Sequence, residues 1–210
     1  MTRFHLIRHA LVEARARRIH YGTLDVDLCA PTRAAQRPLY AALAARLPRR
    51  AHWVVSPLTR TRRTAEAIFA AGYPEGDLAV EPGLNEQHIG SWQGLPHADL
   101  AGKLRLPAHA FWPMAEDETP PCGESMVAVV ARVGVTLERL AREHAGGDVV
   151  AVTHGGAIRA AVAHALSIGA EPALRLSIDN LSRTVLERHD AGWAVVRINE
   201  PFETKGSVPA

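Results

Sequence analysis

Short apolar runs of strand length alternate along this chain with longer stretches in which apolar residues return every three or four positions. Residues 3–8 read as a buried strand. A helix is predicted over about 32–47, and Pro38 must kink or divide it, because proline lacks the backbone N–H and clashes with the preceding turn. A strand at 52–55, a helix at about 59–71 and a short strand near 78–81 follow. From Val127 to His144 the spacing is helical, with Ser125 placed to cap it and Gly146-Gly147 to end it. Then come a strand at 148–153, a helix at about 156–167 and two strand-like runs near 182–188 and 193–198. Asp190-Ala191-Gly192 between these last two is a hairpin-type turn.

This alternation predicts an α/β fold, a three-layer sandwich whose mainly parallel sheet is covered by helices on both faces and joined by right-handed crossovers. The closing β-run is expected to add an antiparallel edge. Residues 88–122 or so break the rhythm with Pro96, Pro107, Pro113, Pro120, Pro121 and the acidic run Glu116-Asp117-Glu118. They are expected to form a small cap over the C-terminal ends of the strands, anchored by Trp92, rather than a domain of their own. The chain therefore reads as a single domain over 1–200, with 201–210, containing Gly206 and Pro209, as a loose tail.

A length of 210 residues, 47% of them hydrophobic, suffices for one α/β domain with a full core. The formal charge is only +2, and Lys103 and Lys205 are the sole lysines, so neither a nucleic acid nor a membrane surface is implied as partner. Arg15-Ala16-Arg17-Arg18 is a local exception. Cys29 and Cys122 have neither metal-ligand nor disulfide-framework spacing, which suggests a reducing, cytoplasmic setting. The first strand begins almost at the N-terminus, so no signal peptide or membrane anchor is expected.

Candidate chemistry sits at the strand ends. Leu6-Ile7-Arg8-His9-Ala10 and Val150-Ala151-Val152-Thr153-His154-Gly155-Gly156 each deliver a histidine to the C-terminal end of an apolar run, where open α/β sheets bind ligands. Either alone carries little, since Arg188-His189 is another Arg-His pair in a different context. A third run, His52-Trp53-Val54-Val55, passes into Ser56-Pro57-Leu58-Thr59-Arg60. Ser56 or Thr59 is placed to cap the next helix with Pro57 just inside its start, leaving backbone N–H groups and an arginine fork at the same crevice. Helix N-termini and arginine forks both hold phosphate.

At this point the chain resembles the histidine phosphatase superfamily, the phosphoglycerate-mutase-like proteins. The family's Arg-His-Gly segment corresponds to Arg8-His9-Ala10, and its Ser-x-Leu-x-Arg-Ala-x-x-Thr-Ala segment to Ser56 through Ala65. Its Leu-x-Glu-x-x-x-Gly-x-Trp-Glu-Gly segment matches Leu84 through Gly94, its Gly-Glu-Ser matches Gly123-Glu124-Ser125, and its second histidine motif matches Val152-Thr153-His154-Gly155-Gly156. The matches keep the family's order over roughly residues 3–160.

The resemblance implies that His9 is a nucleophile attacking phosphorus, its other ring nitrogen donating to a backbone carbonyl or similar acceptor. Arg8, Arg60 and His154 would grip the phosphoryl oxygens, and Tyr21, Gly22 and Gly155 would help to bind the substrate. Glu86 would protonate the leaving oxygen, with its pKa raised by partial burial and by the phosphate; Glu81 and His88 are its local competitors. No metal and no cofactor is required. Gly155-Gly156 would serve a tight strand-to-helix turn. Arg159 is expected at the surface or behind the site, Glu124 and Ser125 at the cap of the long helix or lining the pocket, and Asn180 and Ser182 at the edge of the crevice.

Departures from the family pattern bear on substrate choice. Ala10 replaces a glycine, Gln93 replaces an acidic residue, and Leu11-Val12-Glu13-Ala14-Arg15 replaces a segment whose asparagine helps bind phosphate in relatives. Arg15, Arg17 or Arg18 is the candidate substitute. The function implied is a metal-independent phosphomonoesterase acting on a small phosphorylated metabolite through phosphohistidine. The alternatives are a cofactor-dependent phosphoglycerate mutase and a non-catalytic phospholigand-binding protein. A homodimer is left open.

Overall fold

The computed structural model describes residues 1–202, so the tail expected over 201–210 lies almost wholly outside the described residues. Six strands form one sheet: β1 (Thr2–Arg8), β2 (Ala51–Val55), β3 (Leu78–Val80), β4 (Asp148–Thr153), β5 (Arg183–His189) and β6 (Gly192–Glu200), in the order β3-β2-β4-β1-β5-β6. The first four are mutually parallel where they pair. β5 and β6 run antiparallel and close the sheet, as the pattern predicts. The turn between them is only Asp190-Ala191; Gly192 already opens β6, with φ +137°.

Alternation along the central strands builds two cores. Phe4, Leu6, Val149 and Ala151 face one side, covered by α4 (Met126–Glu143), α5 (Gly155–Leu166) and the short α6 (Ala170–Leu174). Ile7, Val55, Val150 and Val152 face the other, covered by α2 (Arg37–Arg46) and α3 (Thr59–Ala70). The helix read over 32–47 is divided: α1 (Ala30–Ala35) ends before α2, and Pro38 sits in the first turn of α2, where a missing N–H costs no hydrogen bond. Ser125 caps α4, its Oγ accepting the Ala128 N–H at 3.2 Å. No helix among the described residues is long and apolar enough to cross a membrane.

The start of α3 differs from expectation. Its N-cap is Leu58, Pro57 lies outside the helix, and neither Ser56 nor Thr59 caps it. The carboxylate of Asp25 takes that place, accepting the Thr59 N–H at 2.8 Å and the Thr59 hydroxyl at 2.6 Å. Within 88–122 the chain makes single 3-10 turns at Gly90–Trp92, His97–Asp99 and Ala101–Lys103 around a small cluster of Ile89, Trp92, Leu100 and Met114. Trp92 is a packing residue there. Gly90 needs its φ of +52°, and a side chain at that position would overlap the Pro121 carbonyl. The loop after β1 joins this cap, with His20 N–H donating to Leu95 O and Gly94 N–H to His20 O.

Candidate active site

The parallel register of β1 on β4 pairs Arg8 with Thr153, so one further residue on each strand sets His9 beside His154. Their ring centroids are 5.2 Å apart in an edge-to-face arrangement. The backbone at His9 is tied on both sides: its N–H donates to Thr153 O at 2.9 Å, and its carbonyl accepts Asn180 Nδ2 at 2.7 Å. His9 Nδ1 lies 2.7 Å from the Ala10 carbonyl. A carbonyl can only accept, so Nδ1 carries the proton and Nε2 keeps its lone pair. Ala10 itself is buried, its N–H bonded to Thr64 Oγ1 at 3.0 Å. Burial, then the positive charges of Arg60 and Arg8, hold the His9 imidazole well below its ordinary range, which keeps it neutral and nucleophilic.

His154 is likewise held neutral, by burial first and by Arg60 next. Its Nδ1 accepts Arg60 Nε–H at 3.3 Å, so its single proton is on Nε2, 2.7 Å from Ser56 Oγ. That proton points to Ser56, and His154 orients Arg60. Arg60 is fully buried, although no helical surface arginine would be. Its two terminal nitrogens donate to Leu24 O and Gly22 O, each at 2.8 Å, and its Cζ lies 5.1 Å from the centre of the Tyr21 ring. The arginine thereby fastens the 21–24 loop against the strand ends. Gln93 pins the same loop from the cap, its Oε1 accepting the Thr23 N–H at 2.7 Å.

A cavity of about 370 Å³ opens at these strand ends, and Arg8, Tyr21, Gly22, Glu86 and Gly155 all line it. His9, His154 and Arg60 are buried next to those lining residues, His9 with 2% of its surface exposed. Arg8 donates to Ile178 O through Nη1, while its Nε is buried without a partner. Glu86 is held at the N-terminus of α5: Oε2 accepts Gly156 N–H at 3.2 Å and Oε1 accepts Gln87 N–H at 2.9 Å. Its loop is anchored where Thr153 Oγ1 donates to Leu84 O at 2.6 Å. The two competitors are engaged elsewhere, Glu81 with Arg139 and His88 with Thr23, and neither lines this cavity.

Other sequence candidates fall outside. Arg15, Arg17 and Arg18 are exposed and do not line the cavity, Arg15 pairing instead with Glu13. Glu124 binds Arg132 and the His88 N–H and stays out of the cavity. Arg159, expected at the surface or behind the site, does line it. Burial draws its guanidinium down to about 10, still charged at neutral pH. Ser56, as the partner of His154, was also missed by sequence reasoning, and so was the fastening of His9 O by Asn180. Among the described residues no three His, Cys, Asp or Glu side chains converge as metal ligands.

Residues 4–201 match the profile of the histidine phosphatase superfamily, branch 1. The chain is 35% identical over 160 residues to phosphoglycerate mutase-like protein 4 of Arabidopsis thaliana, covering 73% of this chain and 66% of that protein. It is 33% identical to the metal-independent phosphoserine phosphatase of the same plant, over 67% of this chain and 57% of the relative. Thus it spans from about half to two thirds of the length of several curated relatives it matches, these two among them. The structure of mycobacterial glucosyl-3-phosphoglycerate phosphatase with VO3 superposes with a TM-score of 0.75 at 28% identity, covering 94% of this chain and 98% of that one.

Proposed function

The chain belongs to the histidine phosphatase superfamily, and from that membership we propose that it is a metal-independent phosphomonoesterase, hydrolysing a small phosphorylated metabolite through a phosphohistidine at His9. The observation that carries the reading is the hydrogen bond from His9 Nδ1 to Ala10 O, which fixes the tautomer with Nε2 free to attack. The names of the phosphoserine and glucosyl-3-phosphoglycerate phosphatases support hydrolysis as the outcome.

In the first half-reaction His9 Nε2 forms a bond to phosphorus as the ester P–O bond breaks, and Glu86 gives its proton to the departing alkoxide. In the second, Glu86 takes a proton from water as that oxygen attacks phosphorus, the P–N bond breaks and phosphate leaves. Arg8 offers its unpartnered Nε. Arg60, buried behind the lining with its terminal nitrogens on Gly22 O and Leu24 O, adds a fixed positive charge beside His9. A preset donor and a fixed charge stabilise the charge of the transition state without reorganising.

A chromogenic phosphate ester tests the reading. Hydrolysis should persist in excess chelator, labelled phosphate should become acid-labile on the protein, and His9→Ala should abolish the label. Glu86→Gln should slow turnover by about 10²–10⁴-fold, most for poor leaving groups. Loss of activity with chelator, or labelling that survives His9→Ala, would overturn the proposal. Interconversion of phosphoglycerates with a bisphosphate primer, faster than phosphate release, would favour the mutase.

A further inference from the structure

We propose, resting on the phosphatase reading, that Arg159 and the aromatic wall beside it select the leaving group: an alcohol with an apolar, planar body that carries an anionic substituent a few bonds from the phosphoryl group. Glu86, which serves the departing oxygen, lines the cavity together with Arg8, and the lining also includes Trp112, Phe111 and Met114 from the cap. Trp112 stands close to Glu86, its Nε1 donating to Oε1 of Gln87, the next residue, at 3.4 Å. These cap side chains are the apolar surface available to what departs.

Phe111 is the most telling of these. The residue is 65% exposed although it lines the cavity, so it adds little to the core. Its backbone is nevertheless held, the Phe111 N–H donating to His109 Nδ1 at 3.1 Å while His109 Nε2 lies 3.2 Å from Glu171 Oε1. A phenyl ring lining the cavity from an anchored backbone offers a flat apolar face to a ligand.

Arg159 supplies the charge. Its guanidinium lies 4.7 Å over the Trp112 ring, and Nη1 donates to Gly155 O at 3.1 Å. Nε is buried without a partner, and among the described residues Arg159 makes no ion pair with a carboxylate. The residue is half-buried, and a solvent-excluded N–H left unpaired is costly unless an acceptor completes it. The position of that anion is constrained, because a Cβ on Gly155 would stand 3.1 Å from Arg159 Nη1 and 3.5 Å from Arg8 Nε. The two cations flank one glycine, so one compact ligand can span both.

The test compares 3-carboxyphenyl phosphate with its neutral isostere 3-carbamoylphenyl phosphate on the full chain. In Arg159→Gln the ratio of kcat/KM for the carboxylate over the amide should fall by about tenfold or more, through KM, and Arg159→Lys should restore part of it. Phe111→Ala should lower kcat/KM about fivefold more for phenyl phosphate than for glycerol 2-phosphate. Equal losses for both aryl esters in Arg159→Gln, which leave the ratio unchanged, would overturn the inference and assign Arg159 to the transferring phosphoryl group. No loss for either ester would overturn it too. If wild-type protein hydrolyses no ester, the phosphatase reading itself fails, an outcome distinct from either.

Discussion

Gly156, in the first turn of α5, lies so close to Glu86 that a Cβ there would overlap Oε1. The glycine is needed for that approach and not for its own backbone, which is helical. Gly156→Ala should therefore push the carboxylate aside and lower kcat by about 10²-fold, the cost of misplacing a reacting group by an ångström. Alanine favours a helix over glycine, so the melting temperature should hold or rise. Steady-state kinetics beside a thermal melt would check this, and an unchanged kcat would separate Glu86 from the chemistry. Leu181 shows the same site taxing a residue's backbone. It adopts φ +62°, a left-handed conformation that costs a bulky side chain about 1–3 kcal/mol. The strained turn is held by its N–H on Arg8 O at 3.0 Å and by Asn180 on His9 O, and these bonds position the backbone of His9.

At the scale of elements, α3 illustrates how a loop is recruited to a site. A helix N-terminus attracts anions, and here the occupant is the chain's own Asp25, so the first turn of α3 is turned to holding the loop that Arg60 grips from within. Asp25→Ala should cost about 0.5–1 kcal/mol, as for other N-terminal capping groups at exposed positions. It should also raise KM for phosphate esters more than it lowers kcat, since the 21–24 loop is freed at one end. Urea unfolding and a kinetic comparison would test both effects, and a KM left at the wild-type value would show that Arg60 holds the loop unaided. β1 and β4 play the complementary part: buried on both faces, they give the two histidines a rigid base.

Across the whole molecule, two large cores sandwich the sheet, while the cap rests on a separate cluster of a few side chains. Single 3-10 turns contribute few internal hydrogen bonds, and regions with sparse apolar contact open at lower free energy than core strands. Amides in 88–122 should accordingly exchange with deuterium well before those of β1 and β4. A phosphate-like anion such as vanadate should slow exchange in the cap-loop junction around His20 and Gly94. Cap exchange as slow as that of the central strands would show that the fold opens as one unit.

Local pattern determined a great deal of this protein. Periodicity, a proline and a serine cap placed the long helices and the strands within a residue or two, and two apolar runs ending in histidine marked the edge of the sheet that carries the site. Those features are local because hydrophobic rhythm is imposed by each element's own geometry. Alpha6 and the 3-10 turns escaped, being too short to show a period. Tertiary structure alone decided who meets whom: the β1–β4 register that sets His9 beside His154, the carbonyls of Gly22 and Leu24 that Arg60 holds, the Asp25 carboxylate on α3, and the arrival of Arg159 in the cavity against Trp112. Each of these joins groups from separate elements, and whether a polar side chain is a surface charge or a buried, partly unsatisfied donor depends on the neighbours that packing brings.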